Sequence, residues 1–202
     1  WAPRLPAFQK DPAPVLALLE LLKDDPALYV RRSVANNLND IGKDHPEVLT
    51  RTTHQWLQGA SEERQWIVRH ALRTAIKRGE PGALAVLGFG AQADVAVRSA
   101  QITPSRAAIG EKVVLAFEVV NRSAAPQRVL VDFRIHYTKA NGSTAAKVFK
   151  LKTLELQAGE TARLQKSVSL AQMSTRTHYP GRHQVDALLN GHAEPLGHFD
   201  LA

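Results

Sequence analysis

The hydrophobic period of this chain changes once, and that change constrains the fold more than any other feature. Up to about Gly90 the apolar residues recur every three or four positions. From Val95 onward they alternate. The first period belongs to amphipathic helices and the second to half-buried strands. The chain therefore reads as multidomain α and β, with a helical segment over 1–90 and an antiparallel β-sandwich over 91–202.

In the first segment, Pro14–Lys23 is an apolar helix introduced by Asp11-Pro12. A second helix follows Asp24-Asp25-Pro26, with Val30, Val34, Leu38 and Ile41 on its buried face and Gly42 expected to end it. A third runs from Pro46 to about Gln58. A fourth starts at the cap Ser61, buries Ile67, Ala71, Leu72, Ala75 and Ile76, and stops at Gly79. Val30-Arg31-Arg32-Ser33-Val34 matches Val68-Arg69-His70-Ala71-Leu72, and Leu38 then falls opposite Ile76, an offset of 38 residues. Helix pairs recurring at about 40 residues imply a HEAT-like array, in which each pair needs neighbours to cover its apolar face. Two pairs make a short array. The opening Trp1-Ala2-Pro3-Arg4-Leu5-Pro6 also has no initiator Met, so further chain is expected before it.

In the second segment, Val113, Leu115, Phe117 and Val119 alternate with Val114, Ala116 and Glu118. Val129, Val131, Phe133, Ile135 and Tyr137 do the same. Lys147–Leu156, Ala162–Leu170, Arg182–Leu189 and Ala193–Leu201 are further strands. Turns fall at Pro104-Ser105, Asn121-Arg122-Ser123, Asn141-Gly142, Ala158-Gly159-Glu160, Pro180-Gly181 and Asn190-Gly191. About seven short strands in about 110 residues imply an immunoglobulin-like sandwich, here without its usual Cys pair or buried Trp.

The net charge is +7. Twelve basic and ten acidic residues precede Ala91; fourteen and nine follow, so the sandwich carries most of the excess. A surplus of this size favours polyanions, because basic side chains release counterions condensed on phosphate. There is no cysteine, which excludes disulfides and thiolate metal sites. No apolar run reaches the roughly 18 residues of a membrane span, so no membrane partner is expected. P-loops, Gly-rich dinucleotide turns, His-Glu-x-x-His and metal-ligand spacings are missing, and no metal or cofactor is expected.

Two helical faces could carry binding. Arg32, Asn36 and Asp40 lie four apart, opposite the apolar side of the second helix. Arg69, Arg73 and Lys77 form a basic stripe on the fourth, with Trp66 and His70 beside them. Three like charges at this spacing repel one another by a few tenths of a kcal/mol per pair, which an anion would relieve. Arg32, Asp40 and the stripe fit equally a solvated face, and Arg31 and Arg69 fit a structural role tied to a neighbouring turn. In the sandwich, Lys139, Asn141 and Lys147 line a small polar loop. Lys150 and Lys152 are expected on one strand face, and Ser174–Tyr179 forms a second polar cluster. Such loops grip phosphates, or simply keep a hairpin soluble.

The run Tyr29-Val30-Arg31-Arg32-Ser33-Val34-Ala35-Asn36-Asn37-Leu38-Asn39-Asp40-Ile41-Gly42-Lys43-Asp44-His45-Pro46 resembles a signature stretch of AlkC-type alkylpurine DNA glycosylases. Trp1–Pro6, Trp66–Arg73, Lys147–Lys152 and the Arg176-Thr177-His178-Tyr179-Pro180-Gly181-Arg182-His183 block are similar to the same family. The resemblance implies metal-free cleavage of the N-glycosidic bond of cationic methylated bases, chiefly 3-methyladenine. The implied partner is double-stranded DNA carrying alkylated bases, bound by a monomer in the bacterial cytoplasm and on the nucleoid. It implies helices cradling the duplex from one side and an immunoglobulin-like domain closing round it. It also implies that Trp1 is an active-site aromatic, that Asn36 and Asp40 are candidate catalytic residues, and that Asn37 lies near the cleft with them. Arg4, Arg32, Asn37, Arg69, Arg73, Lys77, Lys139, Asn141, Lys147, Lys150, Lys152, Arg176 and His178 become candidate DNA contacts. The catalytic carboxylates of the family are expected before Trp1, so this segment alone is expected to bind DNA without excising bases. Two other readings stay open: a non-catalytic DNA-binding protein, and a protein–protein scaffold built from the same modules.

Overall fold

The structure is a computed structural model that describes residues 5–90, 93–174 and 177–202. The chain divides into two compact units, 1–88 and 89–202.

The helical unit contains α1 (Pro6–Lys10), α2 (Ala13–Leu22), α3 (Leu28–Asp44), α4 (Pro46–Leu57), α5 (Glu62–Ala71), α6 (Arg73–Lys77) and α7 (Pro81–Val86). Three of these ends follow from local chemistry. Pro46 sits in the first turn of α4, where its missing N–H costs nothing. The Ser61 hydroxyl accepts from Arg64 N–H at the start of α5. Gly79, at φ +71°, takes the left-handed conformation that ends α6. α3 packs against α2, α4, α5 and α6, and α4 against α5 and α7. The core holds Val34, Leu38, Leu49, Trp56, Ile67, Ala71, Leu72, Ile76 and Leu84.

Two polar ties hold α2 to later helices. The indole N–H of Trp56 donates to Glu20 at 2.7 Å. The Arg64 guanidinium grips both oxygens of Asp24, which holds that carboxyl below its ordinary pKa. Even so, α2 is apolar on nearly every side and leaves Leu18, Leu21 and Leu22 exposed, alongside Leu28 and Tyr29.

Two sequence expectations change here. α3 does not end at Gly42 but continues to Asp44. Gly42 is a packing residue: a Cβ there would stand 2.3 Å from Leu49 Cδ2, so only glycine lets α3 and α4 approach. The single helix expected from Ser61 to Gly79 is interrupted at Leu72.

The second unit is a two-sheet sandwich. Its strands are β1 (Val95–Thr103), β2 (Arg106–Ala107), β3 (Lys112–Asn121), β4 (Gln127–Thr138), β5 (Thr144–Leu156), β6 (Thr161–Ser169), β7 (Gly181–Leu189) and β8 (His192–Leu201). One sheet has the order β1-β3-β6 and the other β2-β8-β7-β4-β5. Every pairing is antiparallel except the two-residue parallel contact of β2 with β8, which the sequence did not signal. The alternating positions of β3 and β4 meet in the core with Val185, Ala187, Leu196 and Phe199. Asn190-Gly191 makes a two-residue hairpin between β7 and β8, with Asn190 at φ +47° and Gly191 at +82°. Asn121 is fully buried at the end of β3. It shares its amide hydrogens among the carbonyls of Ala125, Leu156 and Gln157, and accepts from Ser123.

His183 is buried on β7. Its Nδ1 accepts from Thr138 N–H at 3.3 Å, its Nε2 lies 3.2 Å from the Tyr179 carbonyl, and its ring stacks on Phe199. Burial lowers its pKa, against smaller upward pulls from the Tyr179 carbonyl and Asp200. The folded state therefore binds fewer protons than the unfolded chain just below pH 6.5. The stability this group contributes is complete above that pH and is lost as pH falls, by at most about 1.4 kcal/mol per pH unit. Thermal melts between pH 7.5 and 5 should show this loss, and His183→Gln should flatten it. Equal pH slopes in the two proteins would assign the effect elsewhere.

Candidate nucleic-acid interface

The break between α5 and α6 is built by α3. In a continuous helix, Thr74 N–H would meet the His70 carbonyl four residues back. Here Thr74 N–H donates to Asn39 Oδ1 at 3.3 Å, and the His70 carbonyl accepts from Arg73 Nη1 at 2.6 Å. Asn39 is 2% exposed on the apolar side of α3, so its amide must find a partner there. One turn earlier, Asn36 Oδ1 accepts from Arg73 Nη2 at 3.0 Å and lies 3.3 Å from His70 Nε2. The His70 ring stacks on Trp66 at 4.9 Å and 7°. A side chain inserted into the helical ladder is a recognised cause of a kink.

The result is a polar cluster of Asn36, His70 and Arg73 with Trp66 behind it. The stripe expected on one helix is thus split, with Arg69 on α5 and Arg73 and Lys77 on α6. Asn36 and Asn37 are exposed, and so are Arg32, Arg69 and Lys77, while Arg73 is half-buried. Asp40 is exposed and paired with Lys43 at 2.5 Å. Arg31 donates to the carbonyls of Asp25 and Pro26, the structural role open to it, though toward backbone rather than a carboxylate.

The cations of this unit fall into two groups. Lys23, Lys43, Arg64 and Arg78 each meet a carboxylate within 4 Å. Arg32, Arg69, Arg73 and Lys77 meet none among the described residues. Lys10 on α1, Arg31 on α3 and Arg51 on α4 meet none either, so the unneutralised charge is spread over the unit, with Arg69, Arg73 and Lys77 following closely on one another in α5 and α6.

In the sandwich, Lys139 is exposed at the tip of the β4–β5 hairpin. Asn141 has a different task from the one expected. Its Oδ1 accepts from the Ser143 amide and hydroxyl at 3.1 and 2.7 Å, which shapes the turn. The Lys147 ammonium stands 5.7 Å from the centre of the Phe149 ring. Lys150 and Lys152 do not share a face. A bulge shifts the register, so that Lys150 pairs with Asp132 and Lys152 with Val131, neighbours that point to opposite sides of the sheet. His178 was expected at the surface but is 2% exposed and lies against Tyr137. Its backbone is clasped by the Gln172 side chain at 2.9 and 3.1 Å, which draws this stretch of chain inward. Trp1, Arg4 and Arg176 lie outside the described residues.

A further polar group stands on the outer face of the larger sheet. Asp186 Oδ2 accepts from Arg134 Nε and Nη2 at 2.9 and 2.7 Å and lies 2.9 Å from His136 Nε2. Burial alone would raise the Asp186 pKa, but the bonds from His136 and Arg134 more than reverse this. The sequence reading missed this group, whose members come from different strands. It also passed over Asn39, although an amide on the apolar side of a helix was a visible signal.

A family model described as the C-terminal Ig-like domain of uncharacterised protein YhaZ matches residues 96–202. The chain is 38% identical over 191 residues to YhaZ of Bacillus subtilis (strain 168), an alignment that covers 95% of this chain and 53% of that protein. It superposes with a TM-score of 0.95, at 42% identity, on the Pseudomonas fluorescens alkylpurine DNA glycosylase AlkC bound to DNA containing an abasic site analog. That match covers 100% of this chain and 56% of the other. The chain thus spans about half the length of these relatives, and its resemblance to AlkC extends over all of it.

Asn39→Ala should leave Thr74 N–H without its acceptor and destabilise the helical unit by about 1–3 kcal/mol. Asn39→Asp keeps an acceptor at that place and should lose less. Chemical denaturation of the two variants checks this, and equal losses would show that the amide bond to Thr74 contributes nothing.

Proposed function

We propose that this chain, which belongs to the family defined by the carboxy-terminal immunoglobulin-like domain of YhaZ, is the DNA-gripping part of an alkylpurine DNA glycosylase. The observation that carries the reading is the close run of Arg69, Arg73 and Lys77 on α5 and α6, beside Arg32 on α3, none of which meets a carboxylate within 4 Å among the described residues. Lys139, Lys150 and Lys152 add positive charge on the sandwich. The likeness to AlkC, whose solved structure holds DNA with an abasic site analog, supports the same assignment. An abasic site is what base excision leaves behind.

In this reading the helical unit is HEAT-like. Its adjacencies α3 with α5 and α4 with α7 are those of stacked pairs. The exposed face of Leu18, Leu21, Leu22 and Tyr29 is the kind of surface a further helix of the whole protein would cover. The protein acts as a monomer on duplex DNA carrying alkylated bases, in the bacterial cytoplasm.

The chemistry asks little of the protein. A purine alkylated at N3 is cationic and already a good leaving group. The enzyme has to stabilise the oxocarbenium ion that develops on the sugar and to place a water molecule. A carboxylate does both. Asp40 is the candidate within this chain, on the exposed column that also carries Arg32 and Asn36. Trp1 is the candidate aromatic beside the sugar or the cationic base. Excision itself is assigned to the whole protein, with further carboxylates supplied by the half that this chain does not span.

Two measurements test the proposal. Duplex affinity of the chain should fall steeply with salt, by about 0.9 in log–log slope per phosphate neutralised, or about −3.6 for four helical cations. A scaffold that docks on apolar surface would show no such slope. In the whole protein, Asp40→Asn should slow release of 3-methyladenine from duplex DNA while leaving duplex affinity in place, whereas the chain alone should bind and release nothing. Turnover by the chain alone would sink the division of labour, and an unchanged rate in Asp40→Asn would remove Asp40 from the chemistry.

A further inference from the structure

The hydrogen bonds round Asn36 fix more than a kink. A guanidinium has only donors, so the Asn36 atom facing Arg73 must be the carbonyl oxygen. The 3.3 Å approach of His70 Nε2 to that same oxygen agrees, with the ring N–H donating. The Asn36 NH2 group is therefore turned away from both. It meets no hydrogen-bond partner among the described residues, and the side chain is exposed.

Arg73 is held in the same way. Nη1 is committed to the His70 carbonyl at 2.6 Å and Nη2 to Asn36 at 3.0 Å. No carboxylate lies within 4 Å of it among the described residues. Its Nε–H and one hydrogen on each Nη remain available. The valences that Asn36 and Arg73 leave unused are thus all donors, and the pair carries a full positive charge. Arg32, one turn before Asn36 on α3, and Arg69, on α5 before the break, extend the positive field.

We propose that Asn36 and Arg73 form a seat for a single phosphodiester group of the DNA backbone, with Asn36 supplying a neutral donor whose direction is set by Arg73 and His70. This rests on the DNA-binding reading above and adds to it a specific chemistry. A phosphate carries only acceptors and a negative charge, the complement of what the pair presents. Guanine in the major groove also offers acceptors alone, but it is neutral, whereas the phosphate matches the positive charge of the pair as well as its donors. Pre-organisation matters here: the guanidinium is already anchored, so seating a phosphate orders little that is free beforehand.

Duplex binding by the full chain, followed by fluorescence anisotropy over a range of salt, tests the seat. Arg73→Gln should weaken binding and make the salt slope shallower by about one. Asn36→Asp keeps an acceptor for Arg73 and His70, so melting should be unchanged, but it removes the donor and should weaken binding about tenfold. Because both residues serve one phosphate, the double variant should lose less than the product of the single losses. Wild-type affinity in Asn36→Asp, or losses that multiply, would overturn the seat while leaving the wider proposal standing. A wild-type chain with no salt-dependent duplex affinity would overturn the proposed function, and the seat with it.

Discussion

The hydrogen bond from Thr74 N–H to Asn39 organises the helical unit. A buried amide oxygen without a donor costs of the order of 1–3 kcal/mol, and so does a buried backbone N–H without an acceptor. α3 brings the oxygen and the α5–α6 junction brings the N–H, so each resolves the other only if the helix is broken at Leu72. The break then releases the His70 carbonyl to Arg73. Arg73 also donates to Asn36, which leaves a guanidinium held at two points with part of its donor set unused.

Placement of paired and unpaired charges follows the same logic. Lys23, Arg64 and Arg78 sit where helices meet or end, and carboxylates from Glu20, Asp24 and Glu80 meet them there. Such pairs contribute little individually when exposed, but they neutralise positive charge away from the candidate face. Arg32, Arg69, Arg73 and Lys77 are left without that neutralisation. Lys10, Arg31 and Arg51 also lack a carboxylate within 4 Å among the described residues, so what distinguishes the candidate face is the close succession of Arg69, Arg73 and Lys77, a run of like charge that an anionic partner would relieve. The resemblance to AlkC and the charge pattern therefore point the same way from independent starting points.

Much of this architecture was legible because one-dimensional periodicity and local turn chemistry determine it. Ser61 and Gly79 mark helix ends through bonds made within a few residues. Asn190-Gly191 closes its hairpin by the backbone conformations those two residues tolerate. Val113, Leu115, Phe117 and Val119 are buried as their alternation requires. What could not be read depends on partners distant in sequence. Gly42 looks like a helix stop until Leu49 is seen against it. The β2–β8 pairing joins residues more than ninety apart. His178 looks like a surface cation until Gln172 holds its backbone and Tyr137 covers its ring. Asn39 lies between: its place on an apolar face was visible, but its partner, a backbone N–H released by a break in another helix, was not.

The bulge in β5 bears most directly on how a sandwich could meet DNA. β5 is an edge strand of thirteen residues, with one side of its backbone unpaired in the sheet. Long edges invite pairing with other chains, and natural proteins guard them with lysines and bulges. Lys147, Lys150, Lys152 and the register shift beside Val131 are the devices that this protection uses. Edge protection therefore explains the lysines without DNA, but it does not require that they share a side. Since Lys150 and Lys152 point to opposite sides of the sheet, a phosphate approaching one face of it would be met by only one of them. The two lysines cannot be treated as one basic patch. At Asn36 and Arg73 the break in the helix explains the bonds to the His70 carbonyl and to Asn36 Oδ1, but not the donors that remain unused beside them. For that reason the helical unit, although it carries the smaller share of the net charge, offers the more specific basis for recognising a phosphate.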